Sequence, residues 1–417
     1  MKLQFLVAFI FFCLVSVQAE TLSLKEVLER AAETNPSLRK VYAQVKAADA
    51  DLHQAYLLQN PELAARVLWP RGGSAPLQEY GISYNIIDLF QRGARIDINK
   101  KRRDATLLQA MRRAVEIEKD LKTAYYTVQG HSQGLQEQKV LLEIAEIDAE
   151  LADRQYKAGN IPAIELAEKK AALLQTRTLV YNRQLALFEA RQELSKLLGR
   201  ASEISQIAVE EGPPELPPES QKTGPTLFAE ALLQRHDFQS LDLEIAALKT
   251  DRSRQNILMF DETRLGFDYE REVDGQTLQG LSLSMPLPIF DQRQAVKERL
   301  DALVEEQQAG RAELSQDIAA EINMSLVRMA NARLRVEQLE ELVPLRQEIL
   351  KLSRQQYNAM LIGAYQLLDF RGQGSVALMT LADAKADYWR AHAELEEALG
   401  KSILAGTVPF EIIGEKK

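Results

Sequence analysis

Cysteine is almost absent from this sequence, because Cys13 is the only one among 417 residues. It lies in an apolar N-terminal stretch between Phe12 and Leu14, so it lacks the small preceding residue of a lipoprotein cleavage site. A single cysteine excludes a disulfide within the chain and a metal site built from several thiolates. The chain must therefore gain its stability from a large core or from association with other chains.

Long apolar runs are missing after residue 20, where no stretch reaches the roughly 18 apolar residues typical of a transmembrane helix. The one extended apolar stretch is N-terminal. Lys2 precedes the apolar segment 3–17, and Val17-Gln18-Ala19 has the small-x-small pattern of a signal-peptide cleavage site. We therefore expect residues 1–19 to be a signal peptide and the mature chain to begin near Glu20. The alternative, a permanent membrane anchor, needs a longer apolar segment.

Positive charge is in the minority, since 51 Lys and Arg are outnumbered by 60 Asp and Glu, and the net charge is −9. Nucleic-acid binding depends on clustered positive charge, so a nucleic-acid partner is not expected. Aromatic residues make up only 6% of the chain, and Ala, Leu, Glu, Gln, Lys and Arg dominate. Such a composition is typical of long helices.

The residues that carry enzyme chemistry form no recognisable pattern in this chain. The histidines are scattered without the spacing of metal ligands, at positions 53, 131, 236 and 392. No glycine-rich phosphate loop lies between a strand and a helix, and no Ser-His-Asp set can be proposed. We therefore predict that the protein is not an enzyme and has no catalytic residue, no cofactor and no metal site.

What the sequence does contain is an internal duplication with a period of about 200 residues. The motif GISY at 81–84 is echoed by GLSL at 280–283, and YKA at 156–158 is echoed by YNA at 357–359. This period is far longer than the roughly 20 to 50 residues of a solenoid repeat, so a whole structural unit is duplicated. The predicted organisation is repeat 1 at 20–200, a proline-rich linker at 201–225, repeat 2 at 226–400 and a C-terminal tail at 401–417.

Each repeat is predicted to hold short helices, one β-hairpin, a long helix, a turn and a return helix. The short helices are broken at Asn35-Pro36 and at His236-Asp237, because proline does not continue a helix across its own position. Alternation of apolar with small polar residues marks the hairpins, and apolar residues at seven-residue spacing mark the long helices. The second long helix is expected to kink or bulge at Pro344. The ranges are 62–90 and 262–287 for the hairpins, 95–158 and 292–358 for the long helices, and 164–198 and 365–399 for the return helices.

The strand pattern leaves two interpretations open. In a soluble sheet the apolar side packs in a core, whereas in a membrane barrel it faces lipid and the small polar side faces a wet lumen. One chain supplies about four strands, and the smallest membrane barrels have about eight, so several chains would have to close one. A trimer would supply about twelve strands and a matching ring of helices, which would give a mainly α fold with a long α-helical barrel and a transmembrane β-barrel completed by trimerisation.

The sequence resembles the TolC-like outer-membrane efflux channels, nearer the RND-associated branch that exports metals and drugs. The resemblance covers essentially the whole mature chain and is carried by the doubled architecture and by four motifs. These are Asn35-Pro36 after a short helix, Asn60-Pro61-Glu62-Leu63 before the first strand, Pro288-Ile289-Phe290-Asp291 before a long helix, and the two turns that follow tyrosine. It implies a homotrimer in outer-membrane lipid with a large periplasmic part. It also implies a passive exit duct, opened by a periplasmic adaptor (membrane fusion) protein and energised by an inner-membrane efflux pump. The alternative is a secreted or periplasmic coiled-coil scaffold without channel activity.

The resemblance also implies a periplasmic gate. Asp369, twelve residues after Tyr357, would line the narrow entrance, where three-fold symmetry makes a carboxylate ring that favours cations. The alternative is a carboxylate in the first turn of a helix, where the helix dipole favours it. Gln366 stands where some family members have a second acidic residue. Tyr156 and Tyr357 would either lock the closed entrance or continue the coiled-coil packing.

Two further sets of residues follow from the resemblance. The turn tips would contact the adaptor, although ordinary turn chemistry also explains their glycines. Their residues are Gly159, Asn160, Ile161, Leu361, Ile362 and Gly363. Aromatic side chains near the hairpins would form an interfacial belt in the membrane, the alternative being ordinary strand packing. These residues are Trp69, Tyr80, Tyr84 and Tyr269.

Overall fold

A computed structural model describes residues 20–69, 71–72, 75–201, 207–218, 223–402 and 404. The predicted signal peptide at 1–19 lies outside the described residues, as does most of the predicted tail. The chain divides into two compact units. The first comprises the chain up to Asn35, Lys119–Pro218 and Arg328–Ala393, and the second comprises Pro36–Glu118, Glu219–Val327 and the chain from Glu394.

The same order of elements occurs twice along the described chain. The first copy consists of β1 (Glu20–Leu22), α1 (Leu24–Thr34), α2 (Pro36–Tyr56), β2 (Glu62–Leu68), β3 (Leu77–Asn85), α3 (Ile87–Lys157) and α4 (Ala163–Leu197). The second consists of β4 (Ile207–Val209), α5 (Gly224–Gln234), α6 (His236–Leu258), β5 (Arg264–Arg271), β6 (Thr277–Ser284), α7 (Gln294–Asn358) and α8 (Ala364–Ala398). Helix, hairpin, long helix and return helix therefore follow one another in both halves.

The break between the short helices is held by different chemistry in each copy. Asn35 leaves the helical region with ψ 120°, and its side-chain amide donates to the Leu197 carbonyl oxygen at 2.7 Å. In the second copy the break falls at Arg235, one residue before the expected His236-Asp237. Arg235 is buried, and its guanidinium pairs with Asp237 at 2.5 Å. No proline is needed there, because Arg235 takes an extended ψ of 117° and fills the position of Asn35.

Four strands form one antiparallel sheet in the order β2-β3-β5-β6, so the two hairpins lie side by side. The strands have 7, 9, 8 and 8 residues, and the first hairpin ends at Asn85, before the predicted limit at residue 90. β3 ends early because the Asn85 side-chain oxygen accepts the Ile87 N–H at 3.0 Å, and this starts α3 at once. Within the described chain β2 and β6 are the two edges of this sheet.

The register of this sheet separates its two faces by polarity. Ile82 lies opposite Phe267, so both side chains belong to one apolar face. Gly81, the next residue, lies opposite Asp268 on the other face. The apolar face comprises Leu63, Ala65, Val67, Tyr80, Ile82, Tyr84, Leu265, Phe267, Tyr269, Leu281 and Leu283. The opposite face carries glycine, serine and charged side chains, so the alternation of the sequence is realised across all four strands.

A second, two-stranded sheet was not predicted. β1 and β4 pair in parallel, with Thr21 opposite Ala208 and Leu22 opposite Val209. Each strand has three residues. Segments this short carry no measurable periodicity, so they cannot be recognised from a sequence pattern.

The long helices bury the stripes at seven-residue spacing. α3 has 71 residues and α7 has 65. Ala114, Leu121 and Val128 are fully buried in α3, and Val336 is fully buried in α7. A kink or bulge was expected at Pro344, but α7 continues through this residue as one uninterrupted helix. Among the residues that the structure describes, no helix combines the length and apolarity needed to cross a membrane.

Candidate functional site

The two turns that join the long helices to the return helices share one backbone motif. After α3, Gly159 has φ +77° and its N–H donates to the Tyr156 carbonyl oxygen at 2.9 Å. The next N–H, of Asn160, donates to the Gln155 carbonyl oxygen at 2.9 Å. Met360 after α7 has φ +59° and makes the equivalent bond to Tyr357 at 2.9 Å. Both turns are therefore Schellman motifs, in which a left-handed residue satisfies the last helical carbonyls.

Met360 is the residue of these turns that sequence reasoning missed. It takes a left-handed conformation without being glycine, which costs roughly 1–2 kcal/mol. Its side chain is 93% exposed, and that of the following Leu361 is 74% exposed. The signal was present in the repeat, since Met360 stands at the position of Gly159. The structure thus places a strained, apolar, solvent-exposed tip on the second turn.

The predicted gate residues lie on α8 and at the ends of the long helices. Asp369 is the sixth residue of α8, so it lies in the second helical turn. The sequence had predicted a position in the first turn. Its exposed carboxylate accepts a hydrogen bond from the Gln373 side-chain amide at 2.7 Å. The side-chain oxygen of Gln373 in turn accepts from the Arg346 guanidinium. A cation on α7 is therefore connected to the Asp369 carboxylate through one neutral side chain.

Asp369 and Gln366 line a cavity of about 790 Å³ within the first unit. Its walls come from α3, α4, α7 and α8, and they include Asp148, Lys169 and Tyr365. Tyr156 and Tyr357, which are 44% and 42% exposed, are not among the residues lining this cavity. The structure therefore brings Asp369 and Gln366 together and leaves the two tyrosines on the exposed surface of the helix ends.

Three residues of this cavity form a polar network that the sequence did not reveal. The Lys169 ammonium lies 2.9 Å from the Asp148 carboxylate and 4.5 Å from the centre of the Tyr365 ring. The Tyr365 hydroxyl donates to the side-chain oxygen of Gln155 at 3.1 Å. Burial raises the pKa of Tyr365, with the charges of Asp148 and Glu165 acting in the same direction and Lys169 opposing them. The tyrosine stays protonated and joins the two turn regions, which are about 200 residues apart in sequence.

The four aromatic residues of the predicted belt are close to the sheet. Tyr80 lies directly opposite Tyr269, and Tyr84 shares their face. Trp69 follows the last residue of β2 and is 76% exposed. The Tyr84 hydroxyl donates to the Asp88 carboxylate at 3.4 Å, so this residue is tied to the start of α3. The structure therefore gathers three of the four on one face of the sheet.

α4 and α7 each carry a second apolar stripe that a single chain leaves exposed. On α4 the exposed positions are spaced alternately by three and four residues, as in a coiled-coil seam. They are Ile164, Ala167, Ala171, Leu174, Thr178, Tyr181, Leu185 and Phe188. On α7 the corresponding stripe contains Val327, Leu334, Leu345 and Leu352, which are 49–57% exposed. The sequence patterns had shown only the stripes that pack within the chain.

A metal centre is not apparent in the part of the chain that the structure describes. No group of three or more His, Cys, Asp or Glu side chains is positioned there to hold a metal ion. The carboxylates of the cavity are engaged by cations or amides, as Asp148 is by Lys169. The chemistry available at this site is ion pairing and hydrogen bonding between the helices that line the cavity.

Comparison with known proteins finds relatives of this chain. Residues 27–200 match the family model described as Outer membrane efflux protein. This part of the chain is therefore similar to that family. The cobalt-zinc-cadmium resistance protein CzcC of Cupriavidus metallidurans is 24% identical over 409 residues, and the match covers 95% of this chain and 91% of CzcC. The resemblance inferred from the sequence is thus confirmed at the family level.

Solved structures share the fold of this chain. The CmeC outer membrane channel of Campylobacter jejuni superposes with a TM-score of 0.72 at 16% identity, over 90% of this chain and 85% of CmeC. The outer membrane protein VceC of Vibrio cholerae gives a TM-score of 0.71 at 16% identity, over 91% of this chain and 96% of VceC. The mainly helical part of the predicted fold is confirmed by this likeness.

Proposed function

We propose that this protein is the outer-membrane exit duct of a tripartite efflux or secretion system, with a large periplasmic part. It acts as a passive conduit, opened by a periplasmic adaptor protein and energised by an inner-membrane pump. The observation that carries the proposal is the exposed apolar face of the four-stranded sheet. The match of residues 27–200 to a family described as Outer membrane efflux protein supports the same assignment.

The sheet exposes more apolar surface than a soluble single chain tolerates. Leu63 is 80% exposed, Leu281 is 82% exposed and Leu283 is 65% exposed. Contiguous apolar patches of this kind mark protein or membrane contact. The opposite face is lined by small residues such as Gly266 and Ser282, as expected for the wet lumen of a barrel. Three copies would bring about twelve strands together, and the edges β2 and β6 would pair between neighbouring chains.

The second apolar stripes of α4 and α7 support the same homotrimer. Tyr181 is 66% exposed on α4, and Leu334 is 57% exposed on α7. Each stripe has the spacing that packs against another helix, and the fold of one chain leaves both uncovered. Contact of these stripes between copies would build the wall of a helical tube. Association would thus complete the sheet and the helical part together.

The turn tips are the proposed contact with the adaptor. The Tyr365–Gln155 hydrogen bond holds the two turn regions side by side, so both tips are presented together. Met360 and Leu361 offer exposed apolar side chains, and Gly159 gives the first turn a smaller tip. An apolar pair on a rigid turn is suited to docking between the helices of a partner. Adaptor binding at this end would act directly on the ends of α3 and α7.

The gate role of Asp369 is a proposal that rests on charge. Three copies of this exposed carboxylate around a narrow passage would attract cations and slow those of high charge. The link through Gln373 to Arg346 holds the carboxylate in place and offsets part of its charge. Metal cations are the first cargo to test, because the relative CzcC is described as a cobalt-zinc-cadmium resistance protein.

Conductance in a planar lipid bilayer tests the duct and the gate together. We expect the purified mature chain to form channels, and Asp369→Asn to raise the conductance or to weaken block by divalent and trivalent cations. Glu189→Gln, at an exposed carboxylate on α4, is the matched control and should leave both unchanged. If current and block are the same in Asp369→Asn and the wild type, Asp369 is not a gate.

Membrane extraction separates the duct from the alternative scaffold. A coiled-coil scaffold with a small soluble sheet should leave membranes in high salt, whereas a closed barrel should require detergent. Recovery of a stable, water-soluble monomer without detergent would overturn the duct.

A further inference from the structure

Residues 210–218, here called the strap, lie between β4 and α5 and belong to the first unit. The strap reads Glu210-Glu211-Gly212-Pro213-Pro214-Glu215-Leu216-Pro217-Pro218 and contains neither helix nor strand. Proline-rich segments favour the extended polyproline II form, in which the backbone makes no internal hydrogen bonds. The carbonyl oxygens of the strap are therefore free to bind the helices beneath it.

The first half of the strap is held by α3 and β1. The Gln129 side-chain amide donates to the carbonyl oxygens of Glu210 at 2.9 Å and Gly212 at 3.1 Å. The Glu210 N–H donates to the Leu22 carbonyl oxygen at 3.3 Å. The Tyr125 hydroxyl donates to the same carbonyl at 3.2 Å. Burial, followed by the charge of Glu210, raises the pKa of Tyr125, so this donor keeps its proton.

The second half of the strap is held by α7 and α8. The Trp389 indole N–H donates to the Pro214 carbonyl oxygen at 2.9 Å. The Arg333 guanidinium donates to the Pro217 carbonyl oxygen. Leu216, between these two bonds, packs against the buried cluster of Val336, Ala384 and Tyr388. Three helices from different parts of the chain thus hold one short segment.

The surface under the strap has the chemistry of a proline-rich peptide groove. Trp389 stacks on Tyr126 with ring centres 5.6 Å apart, and the Arg333 guanidinium lies 5.4 Å from the centre of the Tyr388 ring. Aromatic walls with an indole donor are how proline-rich ligands are bound in trans by other domains. Here the ligand is a segment of the same chain, and the groove is already occupied.

We propose that the strap is a releasable clamp that holds α3, α7 and α8 of the first unit in one arrangement and detaches when they shift. Release is feasible because side-chain donors hold the strap carbonyls individually, without the ladder that fixes a strand. Pro213, Leu216 and Pro217 are also only half-buried. The clamp rests on the proposed function, since opening of a duct is the movement that it would restrain.

The test compares two variants that remove donors from opposite ends of the strap. Trp389→Phe keeps an aromatic ring against Tyr126 but loses the indole N–H, and Gln129→Leu loses the two bonds to Glu210 and Gly212. Gln136→Leu, the same change at an exposed position of α3, is the matched control. If only one of the two variants folds, that variant alone is sufficient for the test.

Hydrogen exchange and channel opening are measured on the full mature protein in detergent and in bilayers. In both variants we expect faster exchange of the Glu210 amide, whose N–H donates to the Leu22 carbonyl oxygen at 3.3 Å, and a higher open fraction. Each change should be on the order of fivefold, the effect of one lost hydrogen bond on an equilibrium. The control should match the wild type in both.

Two results would overturn the clamp. Faster exchange with an unchanged open fraction would make the strap a passive connector, and unchanged exchange would show that these bonds do not hold it. If the wild type forms no channel, the proposed function is overturned instead. The exchange measurement then still tests whether these bonds hold the strap.

Discussion

At the residue scale, the two copies show how one backbone motif accepts different side chains. Gly159 takes φ +77° without cost, because it has no Cβ. Met360 takes φ +59° at the same position and retains a large exposed side chain. A strained residue on an exposed surface is more informative than a glycine at the same position, since strain persists only where something offsets it.

Met360→Gly should stabilise the protein by roughly 0.5–1 kcal/mol, because it relieves the left-handed strain. Part of this gain is offset, because glycine gives the unfolded chain more conformational freedom. The measurement is the thermal unfolding midpoint at one fixed scan rate. Gly159→Met is the reciprocal variant and should lower the midpoint. A lower midpoint for Met360→Gly would mean that the methionine side chain stabilises the turn by packing.

The same Met360→Gly variant separates stability from docking. Loss of the apolar tip should weaken binding of the adaptor even though the fold becomes more stable. Unchanged adaptor binding would remove Met360 from the proposed contact.

At the element scale, helix packing depends on close approach at particular glycines. A Cβ at Gly130 on α3 would lie 2.9 Å from the Cβ of Ala386 on α8. By contrast, a Cβ at Gly310 on α7 would meet nothing within 4 Å. These two helical glycines therefore provide a matched pair for the same substitution.

Gly130→Ala should destabilise the protein by about 1–3 kcal/mol, because α3 and α8 must move apart or adopt strained side chains. Gly310→Ala should stabilise it by about 0.5–1 kcal/mol, because alanine favours the helix. Unfolding midpoints of both variants check this expectation. Equal shifts in the two variants would contradict the close packing at Gly130.

The elements also show which signals a sequence carries. The hairpins, the long helices and the break at Asn35 followed from local patterns: alternation, seven-residue spacing and proline. The break at Arg235 was placed one residue late, because its cause is an ion pair with Asp237 and Glu321. Glu321 is 86 residues away in sequence, and no local pattern predicts such a pairing.

At the scale of the whole molecule, the described part of the single chain leaves large apolar surfaces uncovered. Its sheet exposes an apolar face, and its helices expose second apolar stripes on α4 and α7. These two observations come from different elements, and the proposed association with further copies would cover both surfaces. The stripe on α4 is the simpler one to test, because α4 is not next in sequence to any strand of the four-stranded sheet.

Tyr181→Glu places a charge in the middle of the α4 stripe and should prevent the homotrimer from forming. A desolvated, unpaired carboxylate in a helix interface costs several kcal/mol. Asn182→Glu, at the exposed neighbouring position, is the control and should still assemble. Molecular mass in detergent by light scattering distinguishes the two. Normal assembly of Tyr181→Glu would show that this stripe is not the contact between copies.

The sequence by itself determined the features that depend on neighbouring residues: the lack of a disulfide within the chain, the duplication, the hairpins and the long helices, together with the resemblance to outer membrane efflux proteins. Periodicity and composition depend on residues that are close together in sequence, so they can be recognised from a single sequence. Only the tertiary structure decided which distant residues meet, as when Asp369 is linked through Gln373 to Arg346 and the strap is bound by Trp389 and Arg333. Such contacts arise where three or four helices converge, and their geometry depends on all of those helices at once.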